Sequence, residues 1–237
     1  MESTLSELDK SASTIRDMFA GVAPRYDFLN RLLSGSLDGV WRRRAAGALG
    51  LRPGASVIDL CCGTGEQAVA LARRGYRVAA SDFCLPMLAL AEPKYRRFES
   101  PPRGFAADAM AAPFGDRAFD GATVSFGLRN VADLDEALRE IYRLLRPGGR
   151  LAVLEFAVPE NAALRALYLF YFRRLLPFIG RVVSHRGSAY TYLPSSVLEF
   201  PQRQSFLERM RAAGLADARW IDLSLGIVCL YTARRPE

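Results

Sequence analysis

Histidine is almost missing from this chain. Of 237 residues only His185 is a histidine, and four are cysteines: Cys61, Cys62, Cys84 and Cys229. No two cysteines form a C-x-x-C pair. A zinc site built from cysteine and histidine is therefore not expected, and no other metal site is predicted. The thiols read as buried free cysteines in a reducing compartment. No apolar run is long enough to span a bilayer. Met1 to Asp17 is polar and carries acids, unlike a signal peptide. The expectation is a cytoplasmic protein. Internal repeats and low-complexity tracts are lacking too.

What is present is a globular composition, 50% hydrophobic and 24% charged, with a net charge of +7. The length suits one α/β domain with a sizeable core. The positive balance favours an anionic partner: nucleic acid, acidic lipid or an acidic ligand. The arginines are scattered through predicted helices and turns rather than clustered with aromatics. Nucleic acid is therefore not the expected partner.

Val57-Ile58-Asp59-Leu60 is a short apolar run ending near an acid, and Cys61-Cys62-Gly63-Thr64-Gly65 is a glycine turn. Glu66 to Arg74 follows with Ala68, Leu71 and Ala72 at helical spacing. The pattern is strand, turn, helix. Gly63 and Gly65 can take positive φ and let a ligand lie against the backbone, where the helix start leaves N–H groups unpaired. An ordinary strand-to-helix turn would look the same. The next strand, Arg77 to Ser81, stops at Asp82, 17 residues beyond Gly65. An acid there can accept hydrogen bonds from a ribose diol, for which the usual spacing is roughly 20 residues. A third strand at 104–107 ends at Asp108-Ala109. Asp108 either meets an adenine amino group or caps a turn.

Before this unit, Ile15, Met18, Phe19 and Val22 form a helix face that Pro24 is expected to interrupt. Residues 1–50 thus read as two or three short helices forming a lid or a support, and residues 51–237 as the main domain. Pro93 is expected to shorten the helix beginning at Leu85. The fourth strand, Phe119 to Phe126, runs into Gly127-Leu128-Arg129-Asn130. Asp133 caps a helix, Pro147-Gly148-Gly149 turns, and Leu151 to Phe156 is the fifth strand. Strands alternating with helices predict a doubly wound, mostly parallel sheet. A helix from Gln204 to Ala213 ends at Gly214. The strands Ala218 to Leu223 and Ile227 to Ala233 close the chain as an antiparallel hairpin. Asn161 to Ser184 breaks the rhythm within an insertion at about 160–203. Its aromatics alternate with Arg165, Arg173, Arg174 and Arg181. It either covers the sheet or makes an apolar channel with arginines toward lipid phosphates.

The glycine turn also fits G-x-G-x-x-G/A, so an NAD-dependent dehydrogenase is the rival reading. Asp59 and Glu66 beside the turn would repel a pyrophosphate but suit a sulfonium and an ammonium group. No distinct substrate domain follows the fifth strand.

Asp59 to Gly65 resembles the first motif of the class I S-adenosylmethionine-dependent methyltransferases, whose fold is a Rossmann-like seven-stranded sheet. Arg143 to Leu151 resembles their helix-to-fifth-strand motif. The chain is more closely similar to the ubiquinone/menaquinone biosynthesis C-methyltransferases. The matching residues are Tyr26-Asp27-Phe28-Leu29-Asn30 with Ser34-Gly35 and Trp41, then Ser125 to Asn130. Pro147-Gly148-Gly149 through Leu154-Glu155-Phe156 and Tyr190 to Leu193 complete the match. Asp38 stands where the family usually has a histidine. Ser184-His185-Arg186 and Cys61-Cys62 also depart from its pattern.

The resemblance implies S-adenosylmethionine as cofactor and S-adenosylhomocysteine as product. It implies a polyprenyl quinol methylated at a ring carbon, demethylmenaquinol first, with 2-polyprenyl-6-methoxy-1,4-benzoquinol, or methylation of another small molecule or of RNA, as the alternatives. Asp59, Gly63, Thr64, Gly65, Asp82, Asp108, Ala109 and Ser125 are the expected cofactor residues. Arg129 and Asn130 are the expected catalytic pair, Arg129 stabilising a phenolate and Asn130 orienting the hydroxyl or a water. Tyr26, Asn30, Tyr190 and Tyr192 are expected at the substrate. His185 has a suitable pKa range but lies off the family motifs, and no general base is assigned. The partners expected are a lipid-soluble quinol, an anionic membrane surface at its inner face and a second copy of the chain in a homodimer.

Overall fold

Apolar residues on alternate positions of the central strands divide between two cores, one on each face of a sheet. In the computed structural model, which describes residues 10–171 and 188–237, Ile58 and Leu60 face one core and Val57 the other. Leu151 and Val153 likewise oppose Ala152 and Leu154. This is the period-two rule of a strand buried on both faces.

The sheet has seven strands: β1 (Ser56–Leu60), β2 (Arg77–Asp82), β3 (Arg103–Ala106), β4 (Phe119–Ser125), β5 (Leu145–Phe156), β6 (Ala216–Leu223) and β7 (Val228–Arg234). Their order is β3-β2-β1-β4-β5-β7-β6. The first five run parallel, and β7 lies antiparallel between β5 and β6. The expected doubly wound sheet with its closing hairpin is the observed one.

One face is covered by α2 (Asp38–Ala48), α3 (Glu66–Ala72) and α4 (Leu85–Tyr95) through Trp41, Leu71 and Tyr95. The other is covered by α5 (Leu134–Leu144) and, after α6 (Ala162–Phe170) and α7 (Ser188–Glu199), by α8 (Gln204–Ala212). Asp133 caps α5, its side chain accepting from the N–H groups of Asp135 and Glu136. The chain order reverses at β1, between β2 and β4. The loop after β1 is therefore a topological switch point, where open α/β sheets hold ligands.

Three expectations change. Pro24 does not interrupt the first helix: α1 runs unbroken from Ala12 to Leu33. Proline costs a helix interior about 3 kcal/mol, but Ile15 before it and Ala23 and Leu29 around it are buried, and that burial holds both halves in line. Pro93 likewise lies inside α4, between buried Ala91 and Tyr95. The Pro147-Gly148-Gly149 turn is an excursion within β5 rather than its prelude. Phe119 pairs with Leu145 and Gly121 with Arg150, so the intervening residues bulge out.

No described helix is long and apolar enough to cross a membrane. Arg173, Arg174, Arg181 and His185 lie outside the described residues.

Candidate active site

Backbone geometry at the end of β1 shapes the site. Cys61, Gly63 and Gly65 all have positive φ, which suits glycine and folds the chain into a corner. A Cβ on Gly65 would come within 2.5 Å of the Tyr95 hydroxyl, so this glycine lets α3 and α4 close up. A Cβ on Gly63 would meet nothing within 4 Å, because that face opens onto a cavity. The loop after β4 approaches from the side. A Cβ on Gly127 would lie 2.4 Å from that of Cys61, so only glycine lets the two loops touch.

Asp82, at the end of β2, braces the corner. Its Oδ2 accepts the Gly63 N–H at 2.8 Å and its Oδ1 the Cys84 N–H at 2.8 Å. Burial raises its pKa, and the two backbone bonds oppose that rise. Helix α1 reaches the same corner: Thr64 Oγ1 donates to Asp27 at 2.5 Å. Lys94 donates to Asp27 at 2.6 Å, to the Thr64 carbonyl at 2.8 Å and to Glu66 at 2.7 Å.

Two cavities meet here. The smaller, about 80 Å³, is lined by Gly63, Thr64, Asp82, Asp108, Ala109 and Ser125, and by Ile15 and Phe19 of α1. The larger, about 520 Å³, is lined by Asn30, Arg129 and Tyr192 among mostly apolar side chains. Phe19, Tyr26, Arg42, Phe126 and Asn130 line both and form the wall between them.

The sequence-predicted residues are thus divided rather than gathered in one place. Asp59 and Gly65 lie behind the corner and line neither cavity. Asp59 is fully buried and accepts the Thr123 hydroxyl at 2.7 Å. Burial pushes its carboxyl up to about 7, against the opposing effects of the Thr123 bond and the Arg42 charge. The side chain of Tyr190 lies outside the described residues.

Arg129 is not a free cation. Its Nη1 donates to Glu155 Oε2 at 2.9 Å and to the Phe126 carbonyl, and both side chains are buried. Burial opposes its charge, but Glu155 beside it raises its pKa and keeps it ionised. Its Nε has no partner among the described residues. Nη1 is therefore bound to protein, and the residue also lines the larger cavity. Burial pushes Tyr192 up to about 12, although Arg129 pulls it the other way. It is thus a hydroxyl donor at neutral pH rather than a base. The Cys61 and Cys62 thiols are pushed well above their usual range by burial, so they pack rather than react. Asp38 lines the larger cavity, where it accepts the Ser34 hydroxyl at 3.1 Å.

Sequence reasoning missed Asp27, Lys94, Glu155 and Arg42 as parts of the site. Asp27 and Glu155 sit inside quoted motifs. Lys94 and Arg42 carry no sequence signal beyond their charge, because only folding brings them to the corner.

The smaller cavity suits an S-adenosyl sulfonium in its chemistry. Asp82, Asp108 and Glu66 face it, and the Ser125 hydroxyl is buried without a partner among the described residues. An acid-rich lining favours an ammonium and a sulfonium and disfavours a pyrophosphate.

A profile of the ubiE/COQ5 methyltransferase family matches residues 7–235. The chain is 43% identical, over 98% of its length and 98% of the relative's, to a demethylmenaquinone methyltransferase of Mycolicibacterium paratuberculosis. It is 41% identical to the ubiquinone/menaquinone biosynthesis C-methyltransferase UbiE of Geobacter sulfurreducens, over 98% of this chain and 92% of that one. A crystallised SAM-dependent methyltransferase of Thermotoga maritima has the same fold, with a TM-score of 0.66 at 18% identity, covering 92% of this chain and 99% of that one.

Proposed function

The chain belongs to the ubiE/COQ5 methyltransferase family, and on that premise we propose that it methylates a ring carbon of demethylmenaquinol to give menaquinol. It is an S-adenosylmethionine-dependent C-methyltransferase of menaquinone or ubiquinone biosynthesis. The substrate is the part we infer. The observation that carries it is a large apolar cavity meeting a small acidic one across the wall formed by Phe19, Tyr26, Arg42, Phe126 and Asn130.

The bound cofactor supplies an electrophilic methyl group. Everything else falls to the chain. Thr64, Asp82, Asp108, Ala109 and Ser125 hold the nucleoside end, with Gly63 leaving room for it. The apolar cavity takes the ring and the first isoprenoid units of the tail. Its walls exclude water, which strengthens every charge inside. A ring carbon becomes nucleophilic when the neighbouring hydroxyl is deprotonated. Arg129 stabilises that oxygen through the guanidinium edge turned away from Glu155, and Asn130 orients it. Tyr26, Asn30 and Tyr192 fix the ring, so that the two reactants are held in line.

The larger cavity is already within the roughly 300–1,000 Å³ range of ligand pockets, and the smaller one is below it. We infer that helix α1 shifts as the cofactor enters. Leu37, Leu167 and Leu225 line the larger cavity and are also exposed. With the net charge of +7, this rim suits shallow docking on an anionic membrane that stores the quinol.

The deciding experiment is mass spectrometry of lipid quinones in cells lacking this protein. A demethylated naphthoquinone should accumulate and disappear on complementation. Accumulation of a 6-methoxybenzoquinone instead would move the substrate to the ubiquinone branch. An unchanged quinone profile would end the reading.

A further inference from the structure

Among the described residues, Arg42 is the most anomalous charge. It lies on α2 and is 8% exposed. Its guanidinium carbon sits 5.3 Å from the centre of the Phe126 ring. Among the described residues it makes no ion pair and no hydrogen bond, and its Nε is fully buried without a partner. A buried cation is normally paired, because desolvating it unpaired is very unfavourable. Arg42 also lines both cavities, at the wall between them. Its placement is firm: the neighbouring Trp41 donates from Nε1 to the Ser224 hydroxyl at 2.9 Å, which ties α2 to the end of the sheet.

The buried Asp59 carboxyl feels the Arg42 charge but forms no ion pair with it. The structure thus holds a desolvated positive charge with no carboxylate in ion-pair contact among the described residues, and we propose that Arg42 binds the amino-acid carboxylate of S-adenosylmethionine. This rests on the cofactor assignment above. Three observations select that anion. The only other cation lining the smaller cavity among the described residues is Lys10, which pairs with Glu199 at 3.6 Å. The acids there, Asp82, Asp108 and Glu66, repel a carboxylate elsewhere in the cleft. The quinol oxygen has its own cation, Arg129, in the other cavity. The carboxylate lies only a few bonds from the sulfonium. Gripping it at the shared wall therefore turns the methyl group toward the substrate.

The test is calorimetric binding of S-adenosylhomocysteine and of its decarboxylated analogue to the full chain and to Arg42→Met and Arg42→Lys. Methionine keeps the stem packed against Phe126. A charge-assisted pair of this kind corresponds to roughly 10–100-fold in affinity. Wild type should prefer S-adenosylhomocysteine over the analogue by about that factor. Arg42→Met should erase the preference by weakening only S-adenosylhomocysteine, and Arg42→Lys should restore part of it. The wild-type comparison stands even if a variant fails to fold. Equal wild-type affinity for the two ligands would overturn the assignment. So would an unchanged preference in Arg42→Met, or a rise only in the quinol KM. Failure of wild type to bind either ligand would instead remove the cofactor reading, and this inference with it.

Discussion

Lys94 Nζ lies 2.6 Å from Asp27 Oδ2, and the same ammonium group bonds the Thr64 carbonyl and Glu66. One side chain thereby fastens α1 to the glycine corner and to the start of α3. Lys94→Met should loosen α1 while leaving the sheet intact. The cost is about 1–2 kcal/mol, since the charged bonds are partly exposed. Hydrogen exchange should quicken over residues 12–33 and stay slow in β1 and β4. Unchanged exchange in α1 would show that burial, rather than this cluster, holds the helix.

The same clasp bears on cofactor entry. Ile15 and Phe19 line a cavity of only about 80 Å³, so S-adenosylhomocysteine should bind through an opening of α1. Stopped-flow binding should show an observed rate that levels off at high ligand concentration in wild type, with a higher plateau in Lys94→Met. A rate that stays linear in ligand for both proteins would mean no such gate.

Arg129 and Glu155 predict a separation of folding from chemistry. Arg129→Met leaves a buried carboxylate unpaired and should destabilise the fold by roughly 3–5 kcal/mol. The double variant Arg129→Met, Glu155→Leu should recover most of that stability, because no buried charge is orphaned. Turnover should remain about 10²–10³-fold down in both, as for loss of a preorganised donor to a developing oxyanion. Recovery of turnover in the double variant would remove Arg129 from the reaction.

Asp59 makes stability depend on pH in a direction opposite to most carboxylates. Its folded-state pKa, about 7, lies above the ordinary aspartate value of 3.8. Between those values the native state holds the extra proton, so this group's contribution falls as pH rises through the window. The slope approaches about 1.4 kcal/mol per pH unit at most. Asp59→Asn keeps an acceptor for Thr123 and removes the titration. Relative to wild type, the variant should gain stability from pH 4 to 7 and then level off. Denaturant midpoints at pH 4.5, 6 and 8 would show this. A parallel offset at all three would refute it.

The exposed rim predicts a split between substrates. Leu167→Ser with Leu225→Ser should weaken sedimentation with anionic vesicles severalfold. It should raise KM for a long-tailed quinol presented in those vesicles, but not for a short-tailed soluble one. Equal effects on both substrates would place these leucines in ring binding instead of membrane contact.

Much of the fold was legible because it depends on local patterns. The buried strands β1 and β4, the glycine corner and the Asp133 cap all announce themselves within a few residues. The prolines at 24 and 93 misled, since local propensity counts their cost and not the burial of Ile15, Leu29 and Tyr95 that offsets it. The site was legible as a set of residues but not as an arrangement. Asp59 was grouped with the cofactor residues, yet its side chain supports the corner from behind. Arg129 was expected to stabilise a phenolate, and nothing in the sequence indicated that Glu155, 26 residues along the chain, would pair with it.

The sequence by itself determined the sheet, the family and the acids around the corner, because periodicity and motif spacing are properties of neighbours along the chain. Only the tertiary structure decided which charges are paired. It joined Lys94 to Asp27 and Glu155 to Arg129, and it left Arg42 without an ion pair at the wall between two cavities. Pairing depends on distance and desolvation, and both are established only when remote segments close around the same space.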